Sequence, residues 1–117
     1  MRIQIKRAYQ PAKASDGKRL LVDRLWPRGI SKEKAVLHLW LKELAPSTEL
    51  RQWFAHDPAK WPEFQRRYQA EFANKPELEQ LINLAKEGDI CLVYAAKDEK
   101  HNGAQVLKAY IEKHLSK

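Results

Sequence analysis

Arg24, Arg28 and Lys97 each stand at or just past the end of an apolar run, and cations delivered by neighbouring strand ends are the makings of an anion clamp. Arg24 and Arg28 belong to Asp23-Arg24-Leu25-Trp26-Pro27-Arg28-Gly29, and Lys97 to Tyr94-Ala95-Ala96-Lys97-Asp98-Glu99. Parallel strands lie about 5 Å apart, so the three cations can meet at one phosphate-sized group. A third segment, Lys6-Arg7-Ala8-Tyr9, reaches the same edge if its strand is parallel. Asp23 is placed to orient an arginine or to accept from a ligand hydroxyl; a purely structural ion-pair or capping role fits it equally well. Asp23 and Asp98 are the acid/base candidates if the site is catalytic. Asn102, near the start of the last helix, adds an amide donor and acceptor beside a positive helix end. Trp26, between two arginines and next to a proline, is a stacking or gating side chain, or else a plug over the core.

Other chemistries are excluded by spacing. Ser47, His56 and Asp57 are triad types, but nine residues along one helix separate Ser47 from His56 by about 13 Å and put them on opposite faces. Gly17, Gly29, Gly88 and Gly103 are too scattered for a phosphate loop, so no cofactor motif is read. Cys91 and the histidines His38, His56, His101 and His114 lack metal-ligand spacing, and no metal is expected. Cys91 sits inside an apolar strand and reads as an inert thiol.

The elements that must hold these groups follow from periodicity. Arg2 to Lys6 alternates around Ile3 and Ile5 as a half-exposed strand; Arg19 to Leu25 and Ile90 to Ala95 read as buried strands. Ser31 caps a short helix through Val36, and Leu37, Trp40, Leu41 and Leu44 continue at helical spacing to Pro46. Ser47 opens a helix burying Leu50, Trp53 and Phe54. Asp57-Pro58, or Pro62 a turn later, starts another with the stripe Trp61, Phe64, Tyr68 and Phe72. A further helix follows Pro76 and stops at Gly88, and the last buries Val106, Leu107, Tyr110, Ile111 and Leu115. Two apolar strands separated by some sixty residues of helix make an α/β fold: a small, mostly parallel sheet of about three strands flanked by helices. The direction of the first strand is open, because the linker from Arg7 to Lys18 suits a crossover or a hairpin.

The 117 residues carry a formal net charge of +7 and fit one domain, residues 1–117. Ten of the bases and only three acids fall in residues 1–34, so the whole excess lies there. Lys18, Arg19, Lys32 and Lys34 read as solvated surface. Three partners suit such a chain: a small anionic ligand at the strand ends, a nucleic acid lying along the basic third, or an acidic protein. No apolar run approaches a membrane span and no secretory leader is read, so no membrane partner and a cytoplasmic location are expected.

Several motifs together carry a family resemblance: Lys6-Arg7-x-Tyr9; Asp16-Gly17-x-Arg19-x-Leu21 running through Val22-Asp23-Arg24-Leu25-Trp26-Pro27-Arg28-Gly29; Trp40-Leu41-Lys42-Glu43-Leu44-Ala45-Pro46-Ser47; Phe54-x-His56-Asp57-Pro58; and Tyr94-x-Ala96-Lys97-Asp98-x-x-x-Asn102. In these the chain resembles the YeaO-like family of small bacterial proteins, domain of unknown function 488. The resemblance spans nearly the whole chain. It implies a stand-alone cytosolic α/β domain with no assigned reaction, and marks Lys6, Arg7, Tyr9, Asp23, Arg24, Trp26, Arg28, Lys42, Ser47, His56, Asp57, Lys97, Asp98 and Asn102 as the polar motif positions. Longer relatives carry Cys-Ala-Glu and Cys-His-Arg where this chain has Tyr94 to Asn102, so chemistry suspected for that branch is not implied here.

Overall fold

The structure, a computed structural model, describes residues 2–116. Four strands, β1 (Ile3–Arg7), β2 (Lys18–Leu21), β3 (Leu39–Trp40) and β4 (Ile90–Tyr94), form one sheet in the order β1-β4-β2-β3. Every pairing is parallel, with Ile3 opposite Ile90, Leu20 opposite Leu92 and Leu20 opposite Leu39. Five α-helices accompany them: α1 (Lys32–Ala35), α2 (Thr48–Phe54), α3 (Trp61–Phe72), α4 (Pro76–Glu87) and α5 (Gly103–Leu115).

β4 is central because it has no polar face. Ile90, Leu92 and Tyr94 join the main core with the helical residues Phe64, Tyr68, Phe72, Leu81, Leu107 and Ile111. Cys91 and Val93 alternate to the other side, where Ala8 and Leu21 are covered by Trp26, Leu37 and Trp40. The α/β class and parallel sheet stand as expected, with one strand more than the three anticipated. The open link between β1 and β2 is a crossover: the two strands run parallel with β4 inserted between them.

Three local expectations are corrected. The stretch from Leu37 to Leu44 is not helix: Leu39 and Trp40 pair with β2, and Lys42–Leu44 is a single 3-10 turn. Its apolar residues have helical spacing, but the sheet edge offers Leu39 and Trp40 backbone partners that an isolated turn lacks. The strand from Arg19 stops early, since after Val22 the chain bends and Leu25 is left 67% exposed. Arg19 is not solvated surface. It is buried, with Nη1 2.8 Å from Asp16 Oδ2 and Nε 2.8 Å from the Ala35 carbonyl.

Lys6 joins this network, its Nζ 2.9 Å from Asp16 Oδ1. Burial raises the Asp16 pKa, but hydrogen bonds from the Lys13 amide, Lys6 and Arg19 outweigh it and hold the carboxyl below its ordinary range. Lys18 pairs with Glu87 at 3.1 Å. Two of the ten N-terminal bases, Lys6 and Arg19, are therefore paired within the fold, while the Lys18–Glu87 pair lies at the surface. Gly17 makes the tight approach possible: at φ +70° its backbone lies so close to β4 that a Cβ would stand 2.2 Å from the Asp89 carbonyl oxygen.

Candidate functional site

A cleft of about 380 Å³ opens at the carboxyl ends of β2 and β4, where parallel sheets bind ligands. The last rung between them is Val22 N–H to the Val93 carbonyl at 3.1 Å. Beyond it the Ala95 amide donates to Asp23 Oδ2 at 2.8 Å, and Trp40 Nε1 donates to the Asp23 carbonyl at 2.7 Å. Asp23 is thus fastened at both side chain and backbone. Burial pushes its carboxyl above the usual carboxylate range, while the Ala95 hydrogen bond and the charge of Arg51 pull it back.

From Asp23 the chain forms one wall. Pro27 is buried, Gly29 turns the chain at φ +81°, and Trp26 donates from Nε1 to the Ile30 carbonyl at 2.6 Å. The Trp26 ring stands edge-on to Trp40 with centroids 5.6 Å apart. Tyr9 reaches from beyond β1 and donates its hydroxyl to the Arg28 carbonyl at 3.0 Å. Arg7 braces the adjoining loop by donating to the Ala95 and Ala96 carbonyls at 3.2 and 2.9 Å, its guanidinium 5.1 Å from the Tyr9 ring.

α2 and α3 supply the opposite wall. Ser47 caps α2 through the Leu50 amide and is itself held by both oxygens of Glu71. This sets Arg51 and Phe54 against the cleft, with Phe64 of α3 beside them. α2 ends in two left-handed residues, Ala55 at φ +48° and His56 at φ +56°. That backbone costs roughly 1 kcal/mol or more per non-glycine residue and turns His56 into the cleft lining.

The start of α5 closes the site. Asn102 accepts from the Gln105 amide as N-cap and donates to the Asp98 carbonyl. His101 lines the cleft with Nδ1 2.9 Å from Asp98 Oδ2 and its ring edge-on to Trp61. The hydrogen bond from His101, with those from the Lys100 and His101 amides, holds the Asp98 carboxyl below its ordinary range.

Of the residues singled out from sequence, Tyr9, Asp23, Arg24, Trp26, Arg28 and Asn102 line this cleft together. Lys97 does not; it is exposed outside the lining, so it does not complete the expected clamp with Arg24 and Arg28. Lys6 is engaged with Asp16, Arg7 braces a loop from behind, and Asp98 stands behind His101. Arg51 takes the place anticipated for Lys97. Sequence reasoning missed Arg51, His101 and the apolar walls Phe54 and Phe64 as site residues. His56 carried a signal, since it stands in the motif Phe54-x-His56-Asp57-Pro58.

The site gathers three guanidiniums, two imidazoles and one helix N-terminus around a single carboxylate, that of Asp23, among the described residues. Arg24 Nε is buried and has no hydrogen-bond partner among them. No group of three or more His, Cys, Asp or Glu suited to a metal ion occurs among the described residues, and none of their helices is long and apolar enough to cross a membrane.

Residues 2–117 match the family model described as the inactive DUF488-N3 subclade. The chain is 46% identical over 112 residues to the uncharacterized protein YeaO of Escherichia coli, covering 95% of this chain and 97% of that one. It is 38% identical over 106 residues to uncharacterized proteins of Mycobacterium bovis and Mycobacterium tuberculosis, covering 91% of this chain and 90% of each. No solved structure matches it. A match along nearly the whole length, in family model and relatives alike, means that the chain belongs to the YeaO-like DUF488 family, in its inactive DUF488-N3 subclade.

Proposed function

We propose that the cleft binds a small organic anion, a phosphate-bearing nucleotide or sugar, and holds it without turnover. The observation that carries this reading is the convergence of Arg24, Arg28 and Arg51 on one concavity beside the N-terminus of α5. Guanidiniums repel one another, and gathering three with one carboxylate is stabilised when an anion lies between them. The volume falls in the range of small-molecule sites, and Phe54, Phe64, Pro46 and Trp26 offer apolar surface to the organic part. The description of the family as inactive supports binding over catalysis. The pairing of Lys6 and Arg19 with the buried Asp16 supports a cleft over an open polyanion face, because it withdraws two cations from the surface a nucleic acid would contact.

Thermal shift tests the reading. Wild-type protein is melted with a nucleoside monophosphate, ribose 5-phosphate and inorganic phosphate, alongside Arg28→Ala and Arg51→Ala, whose side chains are exposed enough to leave the fold intact. At least one phosphate compound raises the wild-type melting temperature by several degrees, and each variant loses most of that shift. A wild-type melting point that no anion moves overturns the reading.

A further inference from the structure

Asp23 is out of place in a site for a bare anion. A carboxylate among three arginines lowers the attraction for phosphate, and its burial makes the ionised form costly. It is also unable to swing away, because Oδ2 is fixed by the Ala95 amide at 2.8 Å and its backbone carbonyl by Trp40 Nε1 at 2.7 Å. Oδ1 has no hydrogen-bond partner among the described residues, and Asp23 lines the cleft. An acceptor held rigidly with one oxygen unpaired is suited to a donor that arrives with the ligand.

From this we infer that Asp23 is the specificity-determining residue of the cleft, selecting phosphate esters whose organic part carries a hydroxyl or N–H donor over inorganic phosphate and over esters that lack a donor. The inference rests on the anion-binding reading given above and names its ligand class. The anionic group lies on Arg24, Arg28 and Arg51, and the donor of the organic part meets Asp23 Oδ1. A ligand without the donor leaves Asp23 Oδ1 without a hydrogen bond beside the ligand's negative charge, so it is disfavoured twice, by the missing hydrogen bond and by repulsion.

The test uses inorganic phosphate and two esters that differ only in the hydroxyls Asp23 would meet: propyl phosphate, and glycerol 3-phosphate, which has the propyl skeleton with two hydroxyls. Affinities are measured by titration calorimetry for the wild type and for Asp23→Asn, which retains an acceptor for the Ala95 amide. Wild type binds glycerol 3-phosphate about tenfold or more tighter than propyl phosphate. In Asp23→Asn that ratio falls toward one and inorganic phosphate binds more tightly than to wild type, a change that a merely structural Asp23 would not produce. Equal affinity of the wild type for the two esters, or an unchanged ratio in the variant, overturns the role of Asp23 while leaving the anion site standing. If none of the probes binds, the anion site itself falls, and this inference with it. Should the variant fail to fold, the wild-type ratio decides alone.

Discussion

The Asp23 carboxylate accepts the Ala95 amide at 2.8 Å, one step past the last ladder bond between β2 and β4. A side chain thus takes over from backbone at the point where the sheet opens into the cleft. The same residue that finishes the sheet also sets the charge of the site.

This double duty has a signature in pH. Burial raises the folded-state Asp23 pKa above its unfolded value, so the group favours folding below the unfolded value and that contribution is lost as pH rises through the folded one. Asp23→Asn removes the ionisation but keeps an acceptor for Ala95. The variant therefore melts at or above the wild type near neutral pH, and its relative advantage shrinks as pH falls toward about 4. Melting curves across that range check this; an advantage that grows on acidification contradicts it.

Asp16 behaves in the opposite sense. Its folded pKa lies below the ordinary 3.8, so its stabilisation is present above that value and is lost as pH falls through the lower folded one. Asp16→Ala leaves Arg19 buried without its carboxylate, and breaking such a pair costs about 3–5 kcal/mol. Urea denaturation of the variant measures the cost. A loss under 1 kcal/mol, roughly that of an exposed pair, would mean that the network is dispensable.

Two glycines with positive φ separate strain from collision. Gly29 has nothing within 4 Å of a Cβ, so Gly29→Ala bears only the left-handed backbone cost, about 1–2 kcal/mol. Gly17→Ala adds a clash with the Asp89 carbonyl, which also receives the Lys18 amide at the start of β2. It should be the more damaging by a further 2 kcal/mol or so, and a comparable loss in both variants would refute the close approach.

Cys91 reports on opening of the sheet. Burial is the main force raising its thiol to about 11, and the side chain is fully enclosed on the central strand. Labelling by a thiol reagent near pH 8 is then limited by unfolding, and its rate follows the denaturant dependence of global unfolding. Fast labelling of the native protein would show that β4 is accessible.

How far the sequence could be read depends on how local the cause was. Ile90 to Tyr94 announced a doubly covered strand because apolarity on every position has one meaning at that length. Phe64, Tyr68 and Phe72 announced a buried stripe because they recur at helical spacing among polar residues. Leu39 and Trp40 did not: two residues carry no period, and their strand character comes from Leu20 and Leu21 alongside. In the cleft, Arg24, Arg28 and Asn102 were legible because they follow or precede regular elements in chain order. Arg51 was not. On the helix it occupies a position like any solvated arginine, and it becomes a site residue only because the packing of α2 against α3 and the Ser47–Glu71 cap bring it over the end of β2. Arg19 misled in the other direction, since the carboxylate that permits its burial, Asp16, lies in a turn whose fold depends on β1.

The strand order also fixes a timetable for synthesis. Ile3 pairs with Ile90, and β2 pairs with that same late strand, so the first strands leave the ribosome long before their shared partner exists. Until β4 emerges, only the two-residue match of β2 with β3 can form, and α3 and α4 have no sheet to rest on. The strand that is deepest in the finished protein is therefore the one that commits the chain to folding. A nascent chain halted before Ile90 is a set of helices and a basic leader awaiting a centre.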